Sequence, residues 1–319
     1  MVRVVCDAHI PFIVEAVQKE WPDVDIFPMK PEQIDASSIR EADVLVVRTR
    51  TQVDEALLRG TKVQLVCTAT IGFDHIDIAY CEAHGIRWMS CPGCNAQAVC
   101  DYIEEAIEET MNSKLGGFSQ LSTFNSQLSI GIVGVGHVGS LVAKMAEKKG
   151  YQVLLNDPPK GIGVSLDEIA RNCDIITFHV PLDSSTYHLC NSAFLVQCKP
   201  GAMIINAARG GVVDEQALLH SGHPFILDTW ENEPAINPQV AAAASLASMH
   251  IAGYSEQGKR NAAQMCLDGI AEQFGLPKIT LPVLTPKGDA SPGWLARVSA
   301  RLKSHPDQFE LLRKTYLLR

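Results

Sequence analysis

Short runs rich in Val, Ile and Leu recur along the chain, each followed by a stretch whose apolar residues return at helical spacing. Residues 2–5, 44–47 and 63–66 read as buried strands of this kind. Strands that alternate with amphipathic helices predict a parallel sheet covered by helices on both faces. From residue 128 the pattern repeats more clearly, with strands expected over 128–133, 152–155, 175–178, 202–206 and 225–228. Two long helices stand apart from these units. One runs from Ala96 to about Lys114, with Val99, Ile103, Ala106 and Ile107 on its apolar face and Glu104, Glu105, Glu108 and Glu109 on the other. The second covers residues 255–274, with Ser255 as its N-cap. Residues 115–127 are rich in Gly and Ser and read as a surface loop. Residues 277–292 carry four prolines and read as a linker, and 293–319 is helix-like and locally basic.

Composition narrows the class. Hydrophobic residues are 46% and charged residues 20%, a globular mixture rather than a disordered one. A net charge of −9 argues against a general nucleic-acid binder. No uncharged apolar run approaches the roughly 18 residues of a membrane span, and Met1 leads directly into a strand rather than a secretory leader. The expectation is a cytoplasmic protein with reduced thiols. Cys91-Pro92-Gly93-Cys94 spells a CxxC, but no second pair stands at zinc spacing, so no metal is expected.

The most specific local signal is Gly134-Val135-Gly136-His137-Val138-Gly139. It follows a strand, opens a helix over 140–149, and precedes a second strand that ends in Asp157. Gly134 permits a tight turn, Gly136 lets the backbone approach a pyrophosphate, and Gly139 lets the helix pack closely. The free N–H groups at the helix N-terminus stabilise phosphates. Asp157 accepts from ribose hydroxyls and repels a 2′-phosphate, which favours NAD over NADP. The fold class that follows is α/β: a Rossmann-type doubly wound parallel sheet domain plus a second, flavodoxin-like α/β substrate domain. Residues 96–250 form the NAD-binding domain, 1–95 with 251–276 a discontinuous substrate-binding domain, and 277–319 a C-terminal extension. The helix over 255–274 is expected to pack back on the first domain, with the active site in the cleft between the domains.

Three later segments put ionisable residues at strand ends, where open α/β sheets bind ligands. Arg209 lies in Asn206-Ala207-Ala208-Arg209-Gly210-Gly211, Glu233 in Asp228-Thr229-Trp230-Glu231-Asn232-Glu233-Pro234, and His250 in Ser248-Met249-His250-Ile251-Ala252-Gly253-Tyr254. Together they suit hydride transfer coupled to proton transfer. An imidazole takes the hydroxyl proton, a carboxylate fixes its tautomer, and a guanidinium holds a carboxylate or carbonyl oxygen. Each residue taken alone is equally compatible with a surface or satisfied interior role. Arg48 and Thr49, at the end of the strand over 44–47, are placed to bind a terminal phosphate.

These segments, in this order, resemble the D-isomer-specific 2-hydroxyacid dehydrogenases over residues 1–274. The resemblance implies a catalytic set of Arg209, Glu233 and His250. It implies cofactor contacts at Gly134, Gly136, His137, Val138, Gly139, Asp157, Val180, Ala207, Ala208, Arg209, Asp228 and Gly253, with Asp228 at the nicotinamide carboxamide. A narrower likeness rests on Ala69-Thr70-Ile71-Gly72-Phe73-Asp74-His75, on Cys91 to Ala96, on Asn156-Asp157-Pro158-Pro159 and on His250 to Tyr254. It points to a branch acting on a phosphorylated 2-hydroxy acid, with substrate contacts at Thr49, Thr70, Gly72 and Tyr254. Val180 stands where that branch tends to carry Thr. The resemblance further implies a homodimer, with 277–319 as a reduced dimerisation element. Two alternatives stay open: a dehydrogenase of the same family acting on 3-phosphoglycerate, and an NAD(H)-sensing interaction protein of the same fold, like the C-terminal-binding corepressors.

Overall fold

The structure, a computed structural model, describes residues 1–113, 127–284 and 291–316. The loop expected over 115–127 lies outside the described residues except at Gln127. The chain divides into two compact units, Met1–Asn95 with Ser255–Lys287 and Ala96–Tyr254 with Gly288–Arg319.

The first unit is built on five parallel strands: β1 (Val2–Asp7), β2 (Val24–Met29), β3 (Val44–Val47), β4 (Leu65–Thr68) and β5 (Arg87–Met89). Their order, β2-β1-β3-β4-β5, is the flavodoxin-like one. Alternate residues bury to opposite faces, as the two-residue period of a strand requires. Val4, Cys6, Val44, Val46, Leu65 and Cys67 join one cluster, and Val5, Leu45, Val47 and Val66 the other. Helix Glu256–Phe274 covers the first of these faces with Ala262, Ala263, Cys266, Leu267 and Ile270. Its N-cap is Ser255, whose hydroxyl accepts from Gly258 N–H.

Strands β2 and β5 have no counterpart in the apolar pattern. Both lie at sheet edges. β2 reads Val-Asp-Ile-Phe-Pro-Met, and Pro28 is tolerated there because an edge strand need not donate along both sides.

The second unit carries seven strands: β6 (Ser129–Val133), β7 (Gln152–Asp157), β8 (Ile162–Gly163), β9 (Ile175–Phe178), β10 (Met203–Asn206), β11 (Phe225–Leu227) and β12 (Leu246–Ala247). The order is β12-β11-β10-β9-β6-β7-β8, and β8 alone runs antiparallel. Chain direction across the sheet reverses at the β6–β9 neighbours, which makes the ends of these strands the switch point.

The C-terminal 43 residues expected as one extension do not behave as one. Ile279 and Leu281 bury in the first unit, where Trp21 Nε1 donates to the Pro277 carbonyl at 2.8 Å. Trp294, Leu295, Leu302, Phe309 and Leu312 bury in the second, from helices Trp294–Ser304 and Phe309–Lys314. Apolar side chains on either side of residues 285–290 thus find two different cores. Residues Ile251 to Tyr254 likewise belong to the second unit rather than the first.

Candidate active site

The glycine loop leaves β6 at the switch point. Gly134 has φ +91°, and a Cβ there would stand 2.7 Å from the His179 carbonyl oxygen and 2.8 Å from Val180 Cγ1. Gly139 approaches more tightly still, since its Cβ would fall 2.0 Å from the Gly134 carbonyl oxygen. Gly136 is the opposite case, with nothing within 4 Å of a Cβ position. Packing therefore demands glycine at the two ends of the loop and leaves the middle open to a ligand. Helix His137–Lys148 begins directly after Gly136, three residues earlier than the 140–149 expected, and no side chain caps its first N–H groups. Such orphan donors fit a pyrophosphate.

At the end of β7, Asp157 Oδ2 accepts from Val135 N–H at 2.8 Å. Lys160 Nζ lies 3.4 Å from the same oxygen and donates to the Val135 carbonyl at 2.7 Å. One carboxylate oxygen thus fixes the loop, while the other accepts no hydrogen bond among the described residues. These residues fit a dinucleotide.

The loops after β11 and β12 are laced together around Asp228. That residue is 1% exposed. Its Oδ1 accepts from Ser248 Oγ at 2.6 Å and from Ile251 N–H at 2.7 Å, and its Oδ2 from Ala252 N–H at 2.9 Å. The Asp228 carbonyl accepts from His250 N–H at 2.7 Å, holding His250 at φ +56°. A non-glycine residue in that left-handed region costs on the order of 1 kcal/mol or more, so the loop bonds must over-determine it. Tyr102 adds a further brace, its hydroxyl 2.7 Å from Ser248 Oγ.

His250 Nδ1 lies 2.8 Å from Glu233 Oε2. Glu233 Oε1 accepts from Trp230 N–H at 2.8 Å, so both carboxylate oxygens are placed. An ionised carboxylate only accepts, hence Nδ1 of a neutral imidazole carries the proton and Nε2 presents a lone pair. That is the arrangement of a general base with an orienting acid. The third expected member, Arg209, is exposed and donates to the Ala208 carbonyl at 2.8 Å, not to either member of the pair. Its turn is fixed by buried Asn206, which donates to the Arg209 carbonyl and accepts from Ala208 N–H.

Pattern reading missed Glu215. It is 3% exposed, and its Oε1 accepts from Glu231 N–H at 2.7 Å, two residues before Glu233. Burial pushes its carboxyl up to about 7, the Glu231 N–H bond opposes this, and the Glu231 and Glu233 charges add to it. The signal was an acid at helical spacing from buried Leu218. Glu231 is held from its other side by His188, whose Nε2 lies 2.5 Å from Glu231 Oε1.

In the first unit, Arg48 Nε donates to Asp7 Oδ2 at 2.8 Å. Asp7 is fully buried; against that burial, the bonds from Arg48 and His9 hold its carboxyl below the usual range. Arg48 therefore has a structural partner as well as its place at a strand end. Thr49 is exposed. Thr70 Oγ1 lies 2.6 Å from Thr68 Oγ1 and donates to the Gly72 carbonyl at 2.8 Å. Cys91 Sγ lies 3.7 Å from Cys266 Sγ, and the hydrogen bond between them, with burial, pushes the Cys91 thiol well up. These are neutral core thiols.

A cradle for a dinucleotide after β6 and β7 and a carboxylate-oriented imidazole after β11 and β12, at the carboxyl ends of one parallel sheet, are the two halves of hydride and proton transfer, and they define a nicotinamide-dependent dehydrogenase. Residues 98–252 match the model of the D-isomer specific 2-hydroxyacid dehydrogenase, NAD binding domain. The chain belongs to that family. It is similar to the erythronate-4-phosphate dehydrogenase of Bacteroides fragilis, with 41% identity over 99% of this chain and 96% of that one. The Porphyromonas gingivalis protein of the same name is 40% identical over 91% of this chain and 80% of its own. Among solved structures, the D-lactate dehydrogenase of Aquifex aeolicus complexed with NAD and lactic acid aligns with a TM-score of 0.65. It is 23% identical and covers 85% of this chain and 96% of its own, which speaks to fold alone.

Proposed function

We propose that this chain oxidises 4-phospho-D-erythronate to 2-oxo-3-hydroxy-4-phosphobutanoate, a step toward pyridoxal phosphate. The substrate comes from the near-full-length likeness to erythronate-4-phosphate dehydrogenases. The reaction rests on one observation: the 2.8 Å bond from His250 Nδ1 to Glu233, which leaves Nε2 as the base.

NAD, when bound, supplies the acceptor for the hydride from substrate C2. His250 Nε2 takes the proton from the C2 hydroxyl. Glu233 compensates the imidazolium that results and keeps the ring from turning. Arg209, once its guanidinium leaves the Ala208 carbonyl, holds the α-carboxylate and the oxygen that becomes the carbonyl, in a bidentate geometry Lys cannot reproduce. Arg48, Thr49, Thr70, Gly72 and Tyr254 bind substrate. Gly134, Gly136, His137, Val138, Gly139, Asp157, Val180, Ala207, Ala208, Asp228 and Gly253 hold the dinucleotide. Residence in the cytoplasm as a homodimer belongs to the same reading; among the described residues no helix is long and apolar enough to cross a membrane.

The test is NADH formation across 4-phospho-D-erythronate, 3-phospho-D-glycerate, D-erythronate and D-lactate. The expected order puts 4-phospho-D-erythronate first in kcat/KM. A preference for any of the others overturns the substrate, and no NADH with any of them overturns the enzyme.

A further inference from the structure

The polypeptide after the last strand of the second unit returns to that unit and grips the segment that carries His250. Three side chains of the C-terminal helices do so at successive points. Lys303 Nζ donates to the Ala244 carbonyl. Ser299, 3% exposed, accepts from Ala247 N–H at 2.9 Å. Arg313 Nε donates to the Tyr254 hydroxyl at 2.9 Å, and its guanidinium carbon stands 5.5 Å from the centre of the same ring. The three contacts span residues 244–254, which contain β12, His250 and Tyr254.

The last contact has chemical content beyond packing. A phenol hydroxyl has one hydrogen to give and lone pairs to receive. Arginine only donates, so the Tyr254 oxygen is the acceptor and its own O–H is left to donate elsewhere. A cation against the ring face also holds the ring in place. The guanidinium is itself steadied by Glu310, 3.8 Å from Nη1. A tyrosine so arranged presents a fixed donor to an anionic oxygen.

We infer that Arg313 is a positioning residue that sets Tyr254 as a hydrogen-bond donor to an anionic oxygen of the substrate. The C-terminal helices are thereby a working part of the active site rather than an appendage. This rests on the reading that Tyr254 touches substrate. Arg313 itself need not touch substrate.

A double-substitution cycle in the full chain, with NAD present, tests the inference. KM and kcat for 4-phospho-D-erythronate are measured for the wild type, Arg313→Ala, Tyr254→Phe and the pair. Losing one charge-assisted contact predicts a KM raised about ten-fold in each single variant, with kcat within about two-fold of wild type. In the Tyr254→Phe background, Arg313→Ala should add less than about two-fold, because the hydroxyl it orients is gone. Arg313→Lys, which keeps the charge and a donor, should recover part of the loss. A KM unchanged in Arg313→Ala, or multiplicative effects in the pair, overturns the inference. If Arg313→Ala does not fold, Arg313→Gln takes its place in the same cycle. D-erythronate identifies the oxygen: a KM effect that vanishes without the phosphate assigns Tyr254 to the phosphate, and one that persists assigns it to the carboxylate. If the wild type ignores 4-phospho-D-erythronate, the substrate reading fails. The cycle is then run on the acid that the wild type does oxidise, where the same coupling is expected.

Discussion

Replacing Glu215 by Gln should make the protein more stable as pH rises. Glu215 is buried at 3% exposure with a carboxyl near 7, against 4.5 for an ordinary glutamate. A raised value means the fold prefers the neutral acid. Its stabilising effect is complete below the unfolded value and is lost as pH climbs through the folded one. The separation of 7 − 4.5 corresponds to about 3 kcal/mol at 1.36 kcal/mol per unit, of which about 2.5 kcal/mol falls between about pH 5 and pH 8. Gln is uncharged throughout and keeps an oxygen for the Glu231 N–H, which lies 2.7 Å from Glu215 Oε1. The variant therefore gains under about 1 kcal/mol relative to wild type near pH 5 and about 3 kcal/mol near pH 8, a change of about 2.5 kcal/mol across that range. Urea unfolding followed at both pH values, with the transition of the second unit read separately, measures the difference. A stability difference that does not change with pH would refute the reasoning, because it would mean that Glu215 ionises as freely in the fold as out of it.

His250→Ala should lower kcat by roughly 10²–10⁴ while leaving NAD affinity unchanged, which fluorescence titration checks independently of turnover. Glu233→Ala should lower kcat more than it raises KM, since it frees the His250 ring and unpairs Trp230 N–H; equal kcat in wild type and variant would remove its role. Asp157→Ala should narrow the preference for NAD over NADP by relieving repulsion of a 2′-phosphate, most visibly because Lys160 lies 3.4 Å from that carboxylate; a ratio of kcat/KM values that does not move rejects the assignment. Arg48→Ala should raise KM about ten-fold for the phosphorylated acid and far less for D-erythronate. It should also lower the unfolding midpoint, because buried Asp7 loses its ion pair.

Much of the fold was legible because interior strands of a doubly wound sheet are apolar on both faces. Residues 44–47 and 175–178 matched the observed strands residue for residue for that reason. Edge strands escape the same logic. β2 has one covered flank and carries Asp25 and Pro28, so neither an apolar run nor a strict alternation marks it. β8 and β12 are two residues each and leave no period to detect. The C-terminal division escaped as well, since a row of prolines looks the same whether the apolar residues between them are solvated or, like Ile279 and Leu281, packed against a helix.

The site was legible in a different way. Geometry set by the local chain could be read directly: the tight glycines at the two ends of the loop after β6, Asp157 at a strand end, Ser255 at a helix start. Residues whose role is set by a distant partner could not. Glu215 acts on a peptide 16 residues away, Arg48 on a carboxylate 41 away, and Arg313 on a hydroxyl 59 away. A lone Arg near the end of a chain carries no mark of what it meets. The fold supplies that information by bringing the C-terminal helices onto β12, and with it the distinction between residues that do chemistry and those that aim them. Sequence pairs His250 with Glu233 only through the family resemblance, since each alone suits a surface or interior role, and the fold sets the two 2.8 Å apart. What holds the His250 backbone at φ +56° is the surrounding lattice of Asp228, Ser248 and Tyr102. Substitutions in that lattice should therefore alter catalysis without altering any group that touches the reacting atoms.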